Sequence, residues 1–159
     1  MDVLTPKGME TREQEIQAVK LFLTNFPAFE FVETPKDLPA SMDGLIVRDG
    51  TLVYGVEVKC RMMTSEDLRE KFENRWLVTA DKIDRCVNIC NELGIGFRGF
   101  LYLVPEKMLL IVPIWDYGKG YIADIEYEAT ETQATVNGGV AVRQNAYIDV
   151  SAAKVMIEA

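Results

Sequence analysis

Apolar residues recur along this chain with two periods, and the switches between them mark its elements. From Thr11 to Phe26 (TREQEIQAVKLFLTNF) Ile16, Val19, Leu23 and Phe26 fall at helical spacing, which predicts an amphipathic helix stopped by Pro27. Thr11 followed by Gln14 resembles a capping box at its start. A short strand from Phe29 to Glu33 follows, then a loop carrying Pro35 and Pro39. From Met42 to Arg61 (MDGLIVRDGTLVYGVEVKCR) the period becomes two. Leu52, Tyr54, Val56, Val58 and Cys60 are apolar and alternate with Thr51, Val53, Gly55, Glu57, Lys59 and Arg61. That alternation predicts two strands joined at Asp49-Gly50, with Glu57 and Lys59 together on the face opposite the valines.

Helical spacing returns in TSEDLREKFENRW, with Leu68, Phe72 and Trp76 inward, and in TADKIDRCVNICNELG, with Ile83, Cys86, Val87, Cys90 and Leu93 on one face and Gly94 as the stop. GFRGFLYLVP and KMLLIVPIW read as two strands around a Pro105-Glu106 turn. Asp116 to Asp149 reads as an added β-hairpin and SAAKVMIE as a final helical turn. The expected organisation is one domain over 1–159. Its α/β core, at about 11–115, has a central mixed sheet of about five strands flanked by helices in αβββαβ order, and 116–159 is a C-terminal addition.

Composition narrows the class. At 159 residues, 48% hydrophobic and 26% charged, the chain can bury one sizeable core. No apolar run approaches the ~18 residues of a membrane helix, and the polar N-terminal segment predicts no leader peptide. Three cysteines in core-like segments predict a reducing, cytoplasmic setting. The absence of histidine excludes His-based triads and most zinc sites. A net charge of −8 argues against a generic nucleic-acid coat protein, yet residues 58–85 hold seven basic against six acidic side chains.

The hairpin register decides what its carboxylates can do. A two-residue loop would place Asp43 opposite Val56 and on its face; a three-residue loop or a Gly bulge would bring it to the Glu57 face, so the chemistry requires an odd-numbered loop. Taken alone, Glu-x-Lys on a strand is more often a solvated surface or a cross-strand pair. In the second register, however, Asp43, Glu57 and the backbone carbonyl of Val58 offer hard oxygen ligands for Mg²⁺ or Mn²⁺. Lys59 could then hold an attacking water and stabilise charge on a phosphate. Cys86 and Cys90 have helical metal-pair spacing but no partners to complete a tetrahedral set, so both are expected in the core, as are Trp76 and Trp115. Asp124, Glu126 and Glu128 alternate with Ile125 and Tyr127, predicting a strand with an acidic outer face.

The Asp43…Glu57-Val58-Lys59 pattern resembles the signature of the PD-(D/E)xK phosphodiesterase superfamily, the restriction-endonuclease-like fold. Glu15, in Glu15-Ile-Gln-Ala18-Val-Lys-Leu21-Phe22, resembles that family's first-helix Glu. VEVKCR, with Arg61, and Lys82 near the start of a later helix are similar to members related to Holliday-junction resolvases. The resemblance spans Thr11 to Ile114. Met42 stands where the family often has Pro, and the segment after Asp116 matches nothing in the pattern. The resemblance implies a Mg²⁺- or Mn²⁺-dependent DNA endo- or exonuclease with Asp43, Glu57, Lys59 and Glu15 as catalytic residues. It also allows a homodimer, for which the apolar Tyr102–Val112 hairpin is the candidate interface. The charge distribution predicts that DNA crosses Lys59, Arg61, Arg69, Lys71, Arg75 and Lys82 and avoids the acidic 121–131 strand. The alternative is a nuclease-fold subunit that does not cut and docks that acidic strand on a basic protein partner.

Overall fold

The computed structural model describes residues 6–34, 42–134 and 140–158. The expected loop around Pro35 and Pro39 lies outside them. Helix α1 (Pro6–Asn25) leads into strands β1 (Phe29–Glu33), β2 (Gly44–Arg48) and β3 (Thr51–Arg61). Helix α2 (Ser65–Phe72), strand β4 (Arg75–Thr79) and helix α3 (Ala80–Leu93) come next. Strands β5 (Gly96–Leu103), β6 (Met108–Asp116), β7 (Gly120–Tyr121), β8 (Ile125–Ala134), β9 (Val140–Asp149) and β10 (Lys154–Ile157) complete the chain.

The fold is mixed α/β. A seven-stranded central sheet runs β1-β2-β3-β5-β6-β10, with β7 paired to β6, and β4-β9-β8 form a second sheet of three strands. β3 and β5 are parallel while every other pairing is antiparallel. The parallel step is the crossover that carries α2, β4 and α3, as parallel neighbours require. One face of the central sheet packs Val56, Val58, Phe100 and Leu109 against Ala18, Leu21 and Phe22 of α1. The other packs Leu101, Val112 and Ile114 against Ile83, Cys86 and Cys90 of α3 and against Trp76, Ala146 and Ile148 of the second sheet. Gly99 lies where a Cβ would meet the Trp76 ring, so the bare backbone there lets the second sheet seat on the first. Among the described residues no helix is long and apolar enough to cross a membrane.

Several expectations change. α1 begins at Pro6, a residue suited to a first helical turn, so Thr11 and Gln14 lie inside the helix and form no cap. Its buried stripe is Ala18, Leu21 and Phe22, which leaves Ile16 exposed. α2 is capped by a Thr64–Asp67 capping box but stops at Phe72, because Glu73 and Asn74 turn to positive φ (54° and 58°). Trp76 is therefore a buried strand residue, not a helical one, and Phe72 and Leu93 are exposed. The expected C-terminal helical turn is instead strand β10, which pairs with β6 and buries Met156 against α1's side of the core. That strand and β7 raise the central sheet from the expected five strands to seven. The Tyr102–Val112 hairpin, the candidate interface, is covered within the chain: β3 pairs with one side, β10 with the other, and Tyr102, Leu109 and Val112 are buried.

Candidate active site

The hairpin of β2 and β3 turns in two residues, Asp49 and Gly50, both at positive φ (48° and 76°), as a tight type I′ connection needs. Arg48 pairs with Thr51 and Val47 with Leu52, the register that would have put Asp43 opposite Val56. Between Ile46 and Val47 the register shifts: Ile46 pairs with Tyr54, so Val53 is the extra residue of a bulge. Gly44 then stands opposite Val56, and Asp43, just outside the paired strand, bonds back to Val56 through its amide and on to Val58 through its carboxylate. The expected odd-numbered loop is absent; the register shift is a mid-strand bulge, and Asp43 is near enough for its charge to be felt at Glu57.

β2 begins at Gly44, so beyond Val56 the β3 edge has no paired strand on that side among the described residues. The Asp43 amide closes the ladder on the Val56 carbonyl at 3.1 Å. Its carboxylate then accepts the Val58 N–H at 2.7 Å, occupying the place of a missing strand residue. Within one strand residue the C=O leaves on the same edge as the N–H, so the Val58 carbonyl emerges beside Asp43.

Glu57 is buried, 3% exposed, and is the one buried charged residue among those described. The Lys59 ammonium lies 3.3 Å from Oε1 and the Lys82 ammonium 3.5 Å from Oε2. Oε2 makes no hydrogen bond among the described residues. Burial, reinforced by Asp43, pushes the Glu57 carboxyl up to about 7 against the opposing pull of the two lysines. A desolvated, incompletely satisfied carboxylate that feels a second carboxylate's charge is a candidate ligand for a divalent cation. Among the described residues no three acidic or thiol side chains converge as a metal cage; the candidate donors are Asp43, Glu57 and the Val58 carbonyl.

The sheet separates the remaining residues. On the α1 side, half-buried Glu15 shares a pocket of ≈ 200 Å³ with Arg12, Asp43 and Val58. Burial and then Glu15 hold the Cys60 thiol up to about 12. On the α3 side lie Glu57, Lys59 and Lys82. Asp43 lines the α1-side pocket, and its charge is felt across the sheet at Glu57. Lys82 looked in the sequence like a helix-start residue, but α3 delivers its ammonium to Glu57. Cys86 and Cys90 are buried thiols in the core, and burial raises both.

The expected separation of basic and acidic surfaces does not hold. Arg75 pairs with Glu126 of β8 at 2.8 Å and Lys71 with Asp67 at 3.3 Å. Arg61, Lys71, Arg75, Glu126 and Glu128 line one groove of ≈ 740 Å³, and Arg69 is exposed on α2. The acidic strand thus faces the basic one within the chain. Sequence reasoning missed Arg85 and Arg143, which share a pocket with Lys59, Arg61 and Lys82. Arg85 was findable from its i, i+3 spacing to Lys82; Arg143 belongs to β9 and arrives only through the tertiary fold.

No family model and no curated protein matches the chain. Among solved structures it is similar to that of Archaeoglobus fulgidus Hjc, a Holliday junction resolvase from an archaeal hyperthermophile. The identity is 20% and the TM-score 0.46, over 65% of this chain and 74% of that one. A similarity at this level assigns no residue of the site.

Proposed function

We propose that this protein is a divalent-metal-dependent phosphodiesterase acting on DNA. The observation that carries the reading is the buried Glu57 carboxylate, with the Lys59 ammonium at 3.3 Å and the charge of Asp43, anchored on the Val58 amide past the Val53 bulge, acting on it. A structural ion pair needs neither the register shift nor a carboxylate buried at such cost. Asp43, Glu57 and the Val58 carbonyl would hold Mg²⁺ or Mn²⁺, which when bound lowers the pKa of a water and offsets charge on the scissile phosphate.

The chain's own residues divide the remaining work. Asp43 is held by the Val58 amide at 2.7 Å. Lys59, 38% exposed at its side chain, reaches solvent from the Glu57 carboxylate, where it can orient a water and stabilise developing phosphate charge. Lys82 holds the other Glu57 oxygen and keeps the carboxylate aligned. Glu15 adds negative charge on the α1 side of Asp43. Arg61, Arg69, Lys71, Arg75 and Lys82 supply phosphate contacts, with Lys71 and Arg75 exchanging their present carboxylate partners for phosphates. The test is nicking of supercoiled plasmid with Mg²⁺ or Mn²⁺. Wild type should nick and Asp43→Asn should not; a wild type inactive on supercoiled, linear and single-stranded DNA overturns the proposal.

A further inference from the structure

The basic side chains beside Glu57 continue into the part of the chain that lies outside the nuclease-like pattern. Lys59, Arg61, Lys82 and Arg85 share a pocket of ≈ 460 Å³ whose far wall is Arg143 and Asn145 of β9, and no carboxylate lines it. Lys59 and Lys82 divide one carboxylate, Glu57, between them, and Arg85 is matched by Asp81 at 2.7 Å. Among the described residues Arg61 and Arg143 enter no ion pair. Positive charge is therefore in excess here, in a chain whose net charge is −8. Like charges held around a concavity repel unless an anion enters it.

The far wall is well placed to be rigid. Ala146 and Ile148 of β9 are fully buried in the core cluster that also holds Ile83 and Cys86 of α3. Asn145 is oriented by its own bond, Nδ2 donating to Thr130 Oγ1 at 2.9 Å.

We infer that this pocket is a phosphate subsite for a nucleic-acid strand, seating a backbone phosphate adjacent to the one at Glu57, with Arg143 and Asn145 of the added sheet closing it. The inference rests on the proposed phosphodiesterase reading for the strand's identity. A strand fits better than a free anion because the pocket shares Arg61 and Leu77 with the neighbouring ≈ 740 Å³ groove, so the two lie side by side along one surface. There Phe72 and Tyr147 offer ring surface for a base, beside the Lys71 and Arg75 side chains that continue the phosphate contacts.

The experiment is fluorescence anisotropy with single-stranded and duplex oligonucleotides in EDTA, over a range of salt, so that binding is read without cleavage. The proteins are wild type, Arg143→Ala, Arg143→Lys, Lys82→Ala and Lys154→Ala, the last a basic residue over Phe26, lining none of the pocket. Arg143→Ala should weaken binding by about three- to tenfold and lower the salt slope by about one. Arg143→Lys should keep the slope, Lys154→Ala should match wild type, and Mn²⁺ affinity should be unchanged in Arg143→Ala. Arg143→Ala binding like wild type while Lys82→Ala binds weakly would overturn the inference, as would a wild type that binds no strand. Competition by inorganic phosphate at concentrations where oligonucleotide is half-bound would also overturn it, in favour of a free anion. A wild type that binds as expected but never cleaves removes the proposed function and leaves the subsite standing. One that cleaves while Arg143→Ala binds normally removes the subsite alone.

Discussion

Replacing Glu57 by Gln should stabilise the metal-free protein at alkaline pH. Glu57 is 3% exposed and burial, with Asp43 second, raises its carboxyl from 4.5 to about 7. A carboxyl whose folded pKa lies above its unfolded value stabilises the fold below the unfolded pKa, and that contribution is lost as pH rises through the folded one. The interval of about 2.5 units, at ~1.36 kcal/mol per unit, corresponds to about 3 kcal/mol between pH 4.5 and pH 8. Gln has the shape of the protonated acid and does not titrate. The two proteins should therefore be similarly stable near pH 4.5, and Glu57→Gln should be the more stable by about 3 kcal/mol at pH 8, roughly 6–12 °C in Tm for a chain of this size. Urea unfolding at both pH values in chelator, with unchanged m-values, is the assay. Saturating Mn²⁺ should narrow the gap by stabilising wild type alone. A variant less stable than wild type at pH 8 in chelator would refute the reasoning, because Lys59 and Lys82 would then outweigh the burial of the charge.

Two further outcomes follow from the geometry. Deleting Val53 removes the bulge, returns Asp43 to the Val56 position and should abolish Mn²⁺ binding; adding one residue to the Asp49-Gly50 loop of that deletion variant should restore the register and part of the affinity, checked by calorimetry. Lys59→Ala should leave Mn²⁺ affinity unchanged or slightly higher, since it removes a nearby positive charge, while nicking falls by ~10²-fold or more. Loss of metal binding in Lys59→Ala would reverse the roles assigned here.

The sheet and its faces were legible because strand alternation and helical spacing are local. Val56 and Val58 against α1, Glu57 on the opposite side and the Gly94 stop all follow from period and turn chemistry. The register was not decidable, since a loop residue and a bulge shift it equally. The one trace was Val53, the apolar residue in an otherwise polar or glycine row. Trp76 satisfied an i, i+4 helical pattern with Leu68 and Phe72, and only the positive φ at Glu73 and Asn74 breaks it. β10 was hidden because Ser151-Ala152-Ala153 favours a helical turn locally, whereas the β6 edge supplies the partner that makes Lys154–Ile157 a strand. The convergence of Lys82 on Glu57 and of Arg143 on Lys59's pocket depends on how α3 and the second sheet dock, which no local pattern encodes.

Asp43 and Glu57 acting together as divalent-cation ligands is the claim on which the proposed activity rests, and Mn²⁺ titration calorimetry tests it most directly. Wild type, Asp43→Asn and Glu57→Gln are compared at pH 8, above the raised Glu57 value. Wild type should bind at a single site, and each variant should lose about tenfold or more in affinity, ~1.4 kcal/mol per factor of ten. Wild-type affinity retained in both variants, or no binding by wild type, would contradict the account.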